Sequence, residues 1–349
     1  MGTPSRPARP DPSASAAAAR AGEVRIGISS CLLGEHVRFD GGHKRDRFLS
    51  ETLARFVTFV PVCPEVEAGL PIPRDTLRLV RESSAPRRPG VGADESDVRV
   101  RLVMPATGED HTELLARWAE KRCAELAALG LSGYVLKKDS PSCGMERVKV
   151  YDSNGSPARE GRGVFAAALL AAEPLLPVEE EGRLSDPLLR ENFFDRVFGF
   201  TRLRAFFASE WRVGDLVRFH SSEKLFLLAH HTEGYRALGR VVADAKKKPR
   251  AELEREYGEL YMRTLRHKAS PGRHANVLEH MLGYFKEHLS PAEKQEMLEL
   301  VHDYRAGLVP LVVPVTLLAH FVRKHGIEYL AGQQYLHPHP KELLIRNHV

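Results

Sequence analysis

The stretch VRIGISSCLLGEHVRFDGG, residues 24–42, sets a pattern that decides the reading of the N-terminal half. A short β-branched run, VRIGIS (24–29), ends in Ser-Ser-Cys, and the chain then turns through Gly34, Gly41 and Gly42. An apolar run bounded by turn residues reads as a buried strand followed by a loop. The pattern recurs twice: FVTFVPV (56–62) runs into Cys63, Pro64 and Glu65, and GYVL (133–136) runs into KKDSPSCG (137–144). DVRVRLVM (97–104) and RVKVYDSNG (147–155) read as further strands. HTELLARWAEKRCAELAALG (111–130) has helical spacing and closes on Gly130, and GVFAAALLAAEP (163–174) is a helix stopped before proline. Strands alternating with helices predict an α/β N-terminal domain with a mainly parallel sheet, residues 23–175.

In a parallel sheet all strand C-termini open on one edge, where ligands bind. Cys31, Cys63 and Cys143 each follow a predicted strand, so they are expected to meet there despite their separation in sequence. Spacing alone leaves three readings open. These are a catalytic zinc with an open position, a [4Fe–4S] cluster with one iron free of protein, or three independent small loop residues. The fourth cysteine, Cys123, falls inside the predicted helix and reads as a core residue. Four cysteines in 349 residues, with no CxxC pair, exclude a disulfide-stapled scaffold and a structural zinc ribbon.

The flanking segments read differently. Residues 1–22 are rich in Ala, Pro, Ser and Arg and are expected to be a disordered tail. They lack the apolar stretch of a secretory signal; being acid-poor, they leave an organelle transit peptide as the minor alternative to a cytoplasmic location. Residues 176–209 read as a polar connector and an apolar helix that completes the first domain. Residues 210–335 read as an all-α C-terminal domain, with Ser290, Pro291 and Glu293 marking a clean helix start. Residues 336–349 read as a tail. Apolar residues make up 43% and charged residues 28%, a balance that leaves room for a substantial core. No apolar run is long enough to cross a membrane.

The net charge of +5 permits a polyanionic partner without requiring one. In the helical half, Lys246, Lys247, Lys248, Arg250, Arg263, Arg266, Lys268 and Arg273 could neutralise phosphates, and Tyr235, Tyr257, Tyr261 and Tyr284 could stack on bases. The plainer reading is solvated helix faces with the tyrosines in the core. This half also holds 13 of the 16 histidines, but their spacings suit no metal site, so they are read as structural or surface residues.

The blocks SSCLLGEHVRFDGGHKRD (29–46), FVPVCPEVEAGLPIPR (59–74) and LKKDSPSCGMERVKVY (136–151) resemble the TudS-type thiouracil-desulfidase domain family, in the right order over residues 24–170. VRFHSSEKLFLLAHHTEGYRALGR (217–240) and LRHKASPGRHANVLEHMLGYFK (265–286) resemble the YbgA-type helical domain. The two in this order resemble the RudS-type tRNA 4-thiouridine desulfidases. The resemblance implies a [4Fe–4S] cluster held by Cys31, Cys63 and Cys143, with the free iron binding the sulfur of a thiocarbonyl substrate. It also implies catalytic roles for Glu65 and Ser140. The implied reaction is hydrolytic, C=S plus water giving C=O plus sulfide, with Glu65 taking a proton from water and Ser140 donating a hydrogen bond or relaying the proton. Both residues have structural alternatives, Glu65 at a helix N-terminus and Ser140 in a turn. Asp40 reads as a turn former, and Arg38, Arg74, Lys137 and Lys138 as solvated charges or loop ion pairs that could contact phosphate or ring oxygens. The implied partner is tRNA or a thiolated nucleotide, with neither membrane nor DNA expected; oligomeric state does not follow from the sequence. Two rivals remain: the same chemistry on free thiobases or thionucleosides, and a non-catalytic nucleic-acid-binding protein with a structural or sensing cluster.

Overall fold

The first strand, β1 (Arg25–Ser29), is the hub of a four-stranded sheet. A computed structural model describes residues 23–82 and 100–348. The expected tail at 1–22 and the first residues of the 97–104 strand lie outside the described residues. β2 (Thr58–Val62) and β6 (Gly133–Leu136) pair with β1 on either side, and β9 (Val178–Glu180) pairs with β6. All three pairings are parallel, giving the order β2-β1-β6-β9. The parallel sheet expected from the alternating pattern is therefore present.

A second sheet stands beside it, in the order β5-β4-β3-β7-β8. Its members are β3 (Arg78–Arg81), β4 (Val100–Met104), β5 (Glu109–Asp110), β7 (Val148–Tyr151) and β8 (Pro157–Gly161). Only β3 and β7 run parallel; β3–β4, β4–β5 and β7–β8 are antiparallel, the last two pairs being joined by short turns. The helices of this half are the single turn α1 (Pro64–Glu67), α2 (Thr112–Ala128) and α3 (Val164–Ala172). Cys123 is buried in α2, as its helical context predicts.

The segment read as a polar connector contains a buried strand instead. Glu179 and Glu180 lie in β9 and are buried because each carboxylate has partners. Glu179 accepts from Arg183 at 2.6 Å and faces Arg196 at 3.8 Å; Glu180 accepts from the Met145 N–H at 2.7 Å. Helix α4 (Pro187–Phe207) follows, started by Pro187 and by the Asp186 carboxylate, which accepts from the Leu188 and Leu189 N–H groups at 2.9 and 3.0 Å.

The C-terminal half is helical: α5 (Val213–His230), α6 (Thr232–Ala243), α7 (Arg250–Arg266), α8 (Pro271–Leu282), α9 (Pro291–Arg305), α10 (Val312–His325) and α11 (Glu328–Ala331). Ser290 and Glu293 form the expected reciprocal cap of α9. One hydrophobic cluster runs from Val62, Leu136 and Phe165 through Phe200 and Leu203 of α4 to Tyr257, Leu278 and Leu318. Helix α4 thus belongs to both halves. No helix among the described residues is long and apolar enough to cross a membrane.

Residues 336–349, read as a tail, pack into the core up to the last described residues. Leu343 and Ile345 join the cluster of Ile26, Ile28, Leu32 and Phe194 under sheet one. Arg346 is buried, donates to the Tyr335 carbonyl at 2.7 Å and stands 3.4 Å from Glu191 of α4; His348 reaches the same carboxylate at 2.8 Å. The alternating Leu343 and Ile345 drive this docking, since apolar burial outweighs the freedom of a short terminal segment.

Candidate functional site

The carboxyl edge of the parallel sheet opens onto a cavity of about 380 Å³. Each cysteine reaches it by a different local device. Cys31 sits in the 3₁₀ turn Ser30–Leu33 directly after β1, and its carbonyl accepts from the Lys44 N–H at 2.9 Å. Cys63 caps the N-terminus of α1, where its own N–H donates to the Glu67 carboxylate at 3.1 Å. Cys143 lies in the loop after β6, which is braced from two sides. The Ser140 hydroxyl accepts the N–H groups of Ser142 and Cys143 at 3.2 and 3.1 Å, while the Ser142 carbonyl accepts from Phe165 and Ala166 at the start of α3.

The cavity is lined by all three cysteines together with Glu65 and Ser140. The thiols are buried and free of disulfides. Burial pushes Cys31 up to about 11 and Cys63 up to about 12, and it raises Cys143 well above the ordinary thiol range. Glu65 adds to all three shifts, its carboxylate disfavouring a second negative charge beside it. Binding of a metal or cluster at these cysteines requires the thiols to give up their protons. Among the described residues, no three His, Cys, Asp or Glu side chains are close enough together to hold a single metal ion.

Glu65 projects from the first turn of α1 and accepts from the Cys63 thiol at 3.4 Å. Its other neighbour is Arg74, at 4.0 Å, whose guanidinium is only 5% exposed and donates to the carbonyls of Val37 and Pro71. Lys137 also faces the cavity but is ion-paired with Glu181. Arg38 stands 3.4 Å from Asp40, whose carboxylate also accepts the Gly42 N–H at 3.0 Å, the geometry of a turn former. Cys123 is not among the lining residues.

Two participants escaped the sequence reading. Ser29, at the end of β1, accepts the Lys137 N–H at 3.0 Å, tying the strand that precedes Cys31 to the loop that carries Cys143. Its place in Ser-Ser-Cys was the available signal. Glu181 fell in the supposed connector and gave none.

In the helical half the basic run is largely paired internally: Lys247 with Asp244, Lys248 with Glu256, and Arg250 with Glu254. Tyr257 and Tyr261 are fully buried and unavailable for stacking, whereas Tyr284 is exposed. The histidines take structural places. His230 lies 3.3 Å from Asp195, both buried, and His274 bonds the Tyr335 hydroxyl at 2.9 Å.

Comparison with known proteins bears on this geometry. Residues 26–181 match the 2-thiouracil desulfurase family, and residues 224–340 match DUF1722, a family of unknown function. The Bacillus subtilis (strain 168) protein YbbK is 33% identical over 149 residues, covering 42% of this chain and 89% of YbbK. The chain belongs to the 2-thiouracil desulfurase family. Its helical half is of the YbgA kind: Escherichia coli (strain K12) YbgA is 34% identical over 135 residues, covering 38% of this chain and 80% of YbgA. A solved structure of a [4Fe-4S]-dependent thiouracil desulfidase, TudS, is 29% identical and covers 47% of this chain and 94% of its own, with a TM-score of 0.35. Within the 2-thiouracil desulfurase match lie all five residues singled out above: Cys31, Cys63, Glu65, Ser140 and Cys143.

Proposed function

We propose that the protein is a hydrolytic desulfidase that converts 4-thiouridine in tRNA to uridine, releasing sulfide, with a [4Fe–4S] cluster held by Cys31, Cys63 and Cys143. The observation that carries this reading is the convergence of three buried, unbridged thiols and the Glu65 carboxylate on a single open cavity. The donor set fits such a cluster: three soft sulfur ligands, free of disulfides, line one cavity, and thiolates are the ligands iron–sulfur chemistry uses. When bound, the cluster supplies Lewis acidity toward a soft thiocarbonyl sulfur. Glu65 accepts a proton from the attacking water, since it is the carboxylate nearest the thiols. Arg74 holds the Val37 carbonyl and faces Glu65, so it keeps that carboxylate at the cavity wall. Ser140 already accepts two backbone N–H bonds, which leaves its own O–H free to donate to the substrate.

The helical half supports a tRNA substrate by its basic excess, 21 Lys and Arg against 17 Asp and Glu over residues 210–349. The proposed setting is the cytoplasm, where thiols stay reduced; all four cysteines here are free.

The test is to purify the full chain anaerobically, reconstitute it, and count iron and sulfide per chain. Bulk tRNA is then followed for loss of 4-thiouridine absorbance and for sulfide release. Loss of signal that vanishes with Glu65→Gln, at unchanged iron content, is the expected result. A cluster-loaded chain that desulfidates no thiolated uracil, or a Glu65→Gln variant as active as the parent, overturns the reading.

A further inference from the structure

A second cavity, of about 200 Å³, opens at the opposite edge of the parallel sheet, beside Gly130 and Leu131, which lead into β6. Helices α2 and α3 supply part of its lining, and Phe200 and Arg204 of α4 complete it. Helix α4 lies outside both family matches, which end at residue 181 and begin again at residue 224. The cavity therefore forms only where the desulfurase half meets the helix that joins it to the other half. It shares no lining residue with the cysteine cavity.

Most of the lining is apolar: Leu126, Leu131, Leu169, Leu176 and Phe200. Two charges of opposite sign stand among these side chains without pairing to each other. The Arg204 guanidinium is held by its Nη1, which donates to the Leu131 carbonyl at 2.7 Å, and by the Phe200 ring, 5.5 Å away. Gly130 makes room for it, since an added Cβ there would collide with Arg204 Nη2. Among the described residues, Arg204 Nε and Nη2 have no acceptor, and the Glu173 carboxylate has neither a hydrogen-bond donor nor an ion-pair partner. Arg25, the other cation near Arg204, is occupied by Glu23 at 2.9 Å and by the Leu129 carbonyl at 3.2 Å. Burial lowers Arg204 from the ordinary guanidinium range, and Glu173 opposes that shift from across the cavity.

A simple anion here satisfies Arg204 and is repelled by Glu173; a simple cation meets the reverse. A molecule carrying both charges satisfies both groups at once. We propose that this cavity binds a small apolar zwitterion, of the class of a branched α-amino acid. Its carboxylate meets Arg204, its ammonium meets Glu173, and its side chain lies against the leucines. Benzene fills an apolar cavity of about 150 Å³, so this one takes about eight non-hydrogen atoms, the size of valine or leucine. A ligand held between α3 and α4 stabilises the seam between the two halves. The site stands apart from the desulfidase reading and does not depend on it.

The experiment is calorimetry on the reconstituted full chain with L-valine and L-leucine. Two analogues of leucine accompany them: isocaproate, which keeps only the carboxylate, and isoamylamine, which keeps only the ammonium. Leucine or valine should bind about tenfold more tightly than either analogue, the effect of one charge-assisted hydrogen bond. Arg204→Gln and Glu173→Gln should each weaken amino-acid binding about tenfold. Glu173→Gln should also erase the advantage over isocaproate, a change that a folding defect does not produce. Ala127 lines the cavity from an exposed position on α2, so Ala127→Leu should block binding while keeping the parent's urea midpoint. Glu65→Gln, at the other edge of the sheet, should bind leucine as the parent does. The amino acid should raise the thermal midpoint of the parent but not of Ala127→Leu. Failure of both amino acids to bind, isocaproate binding as tightly as leucine, or binding indifferent to all three substitutions in the cavity overturns the proposal.

Discussion

Replacing Gly163 with alanine adds one methyl group where the Cys143 loop meets helix α3. An added Cβ would sit 2.5 Å from both the carbon and the oxygen of the Ser142 carbonyl and 2.8 Å from the Cys143 nitrogen. Ordinary contact begins at 3.4 Å, so the loop or the helix start has to move by about 1 Å. The atoms in the way are backbone, which cannot rotate aside as a side-chain tip can. The same Ser142 carbonyl accepts from Phe165 at 3.0 Å and Ala166 at 3.3 Å, so the displacement also weakens the start of α3. Overpacking of about 1–3 kcal/mol, with up to about 1 kcal/mol for each strained hydrogen bond, predicts a loss of about 2–4 kcal/mol. The assay is the urea midpoint of the reduced chain, paired with iron content after reconstitution. Both should fall, because the residue displaced adjoins Cys143. Gly272→Ala is the control: nothing lies within 4 Å of its added Cβ, and alanine is the better helix former there. A Gly163→Ala chain with the parent's midpoint and iron content would refute the claim that this contact braces the loop.

Further expectations follow from the helical half and the terminus. Glu223 is fully buried and accepts from Arg202 at 2.7 and 3.0 Å and from the Tyr261 hydroxyl at 2.8 Å; Glu223→Ala should cost about 3–5 kcal/mol in urea denaturation by leaving Arg202 uncompensated, and a loss under 1 kcal/mol would contradict this. Burial lowers His220 and His274 to about 4, so the folded state binds fewer protons than the unfolded state between about pH 4 and 6.5. Stability should therefore be full above about pH 6.5 and fall as pH drops through that window, by roughly 3 kcal/mol per imidazole at most; equal urea midpoints at pH 5 and 7 would show that these rings are not held neutral. Ile345→Ala should destabilise by about 2–5 kcal/mol, since the side chain is buried against the first sheet, whereas a loose tail would tolerate it without change.

The order of elements and the meeting of the three cysteines were legible because both rest on local patterns. β-Branched runs ending in turn residues mark the strands, and parallel pairing brings their ends to one edge. The second sheet was less legible: its short strands include a two-residue one, too brief to carry a period. β9 was misread because two adjacent glutamates look solvent-facing until Arg183, Arg196 and the Met145 N–H arrive from elsewhere. Tyr257 and Tyr261 follow the plainer reading instead: helix packing buries them in the core, which removes them as stacking surfaces.

By itself the sequence determined the fold class, the separation of Cys123 from the other three cysteines, and the cysteine-bearing loops as the place to look. Those follow from periodicity and turn chemistry, which act over a few residues. Only the tertiary structure decided which charges pair. It set Arg74 beside Glu65, joined Lys137 to Glu181 across 44 residues, and left Lys44 and Lys138 without anionic side-chain partners at the cavity mouth. Ion pairing depends on distances of a few ångströms between residues far apart in the chain, and no local pattern encodes them.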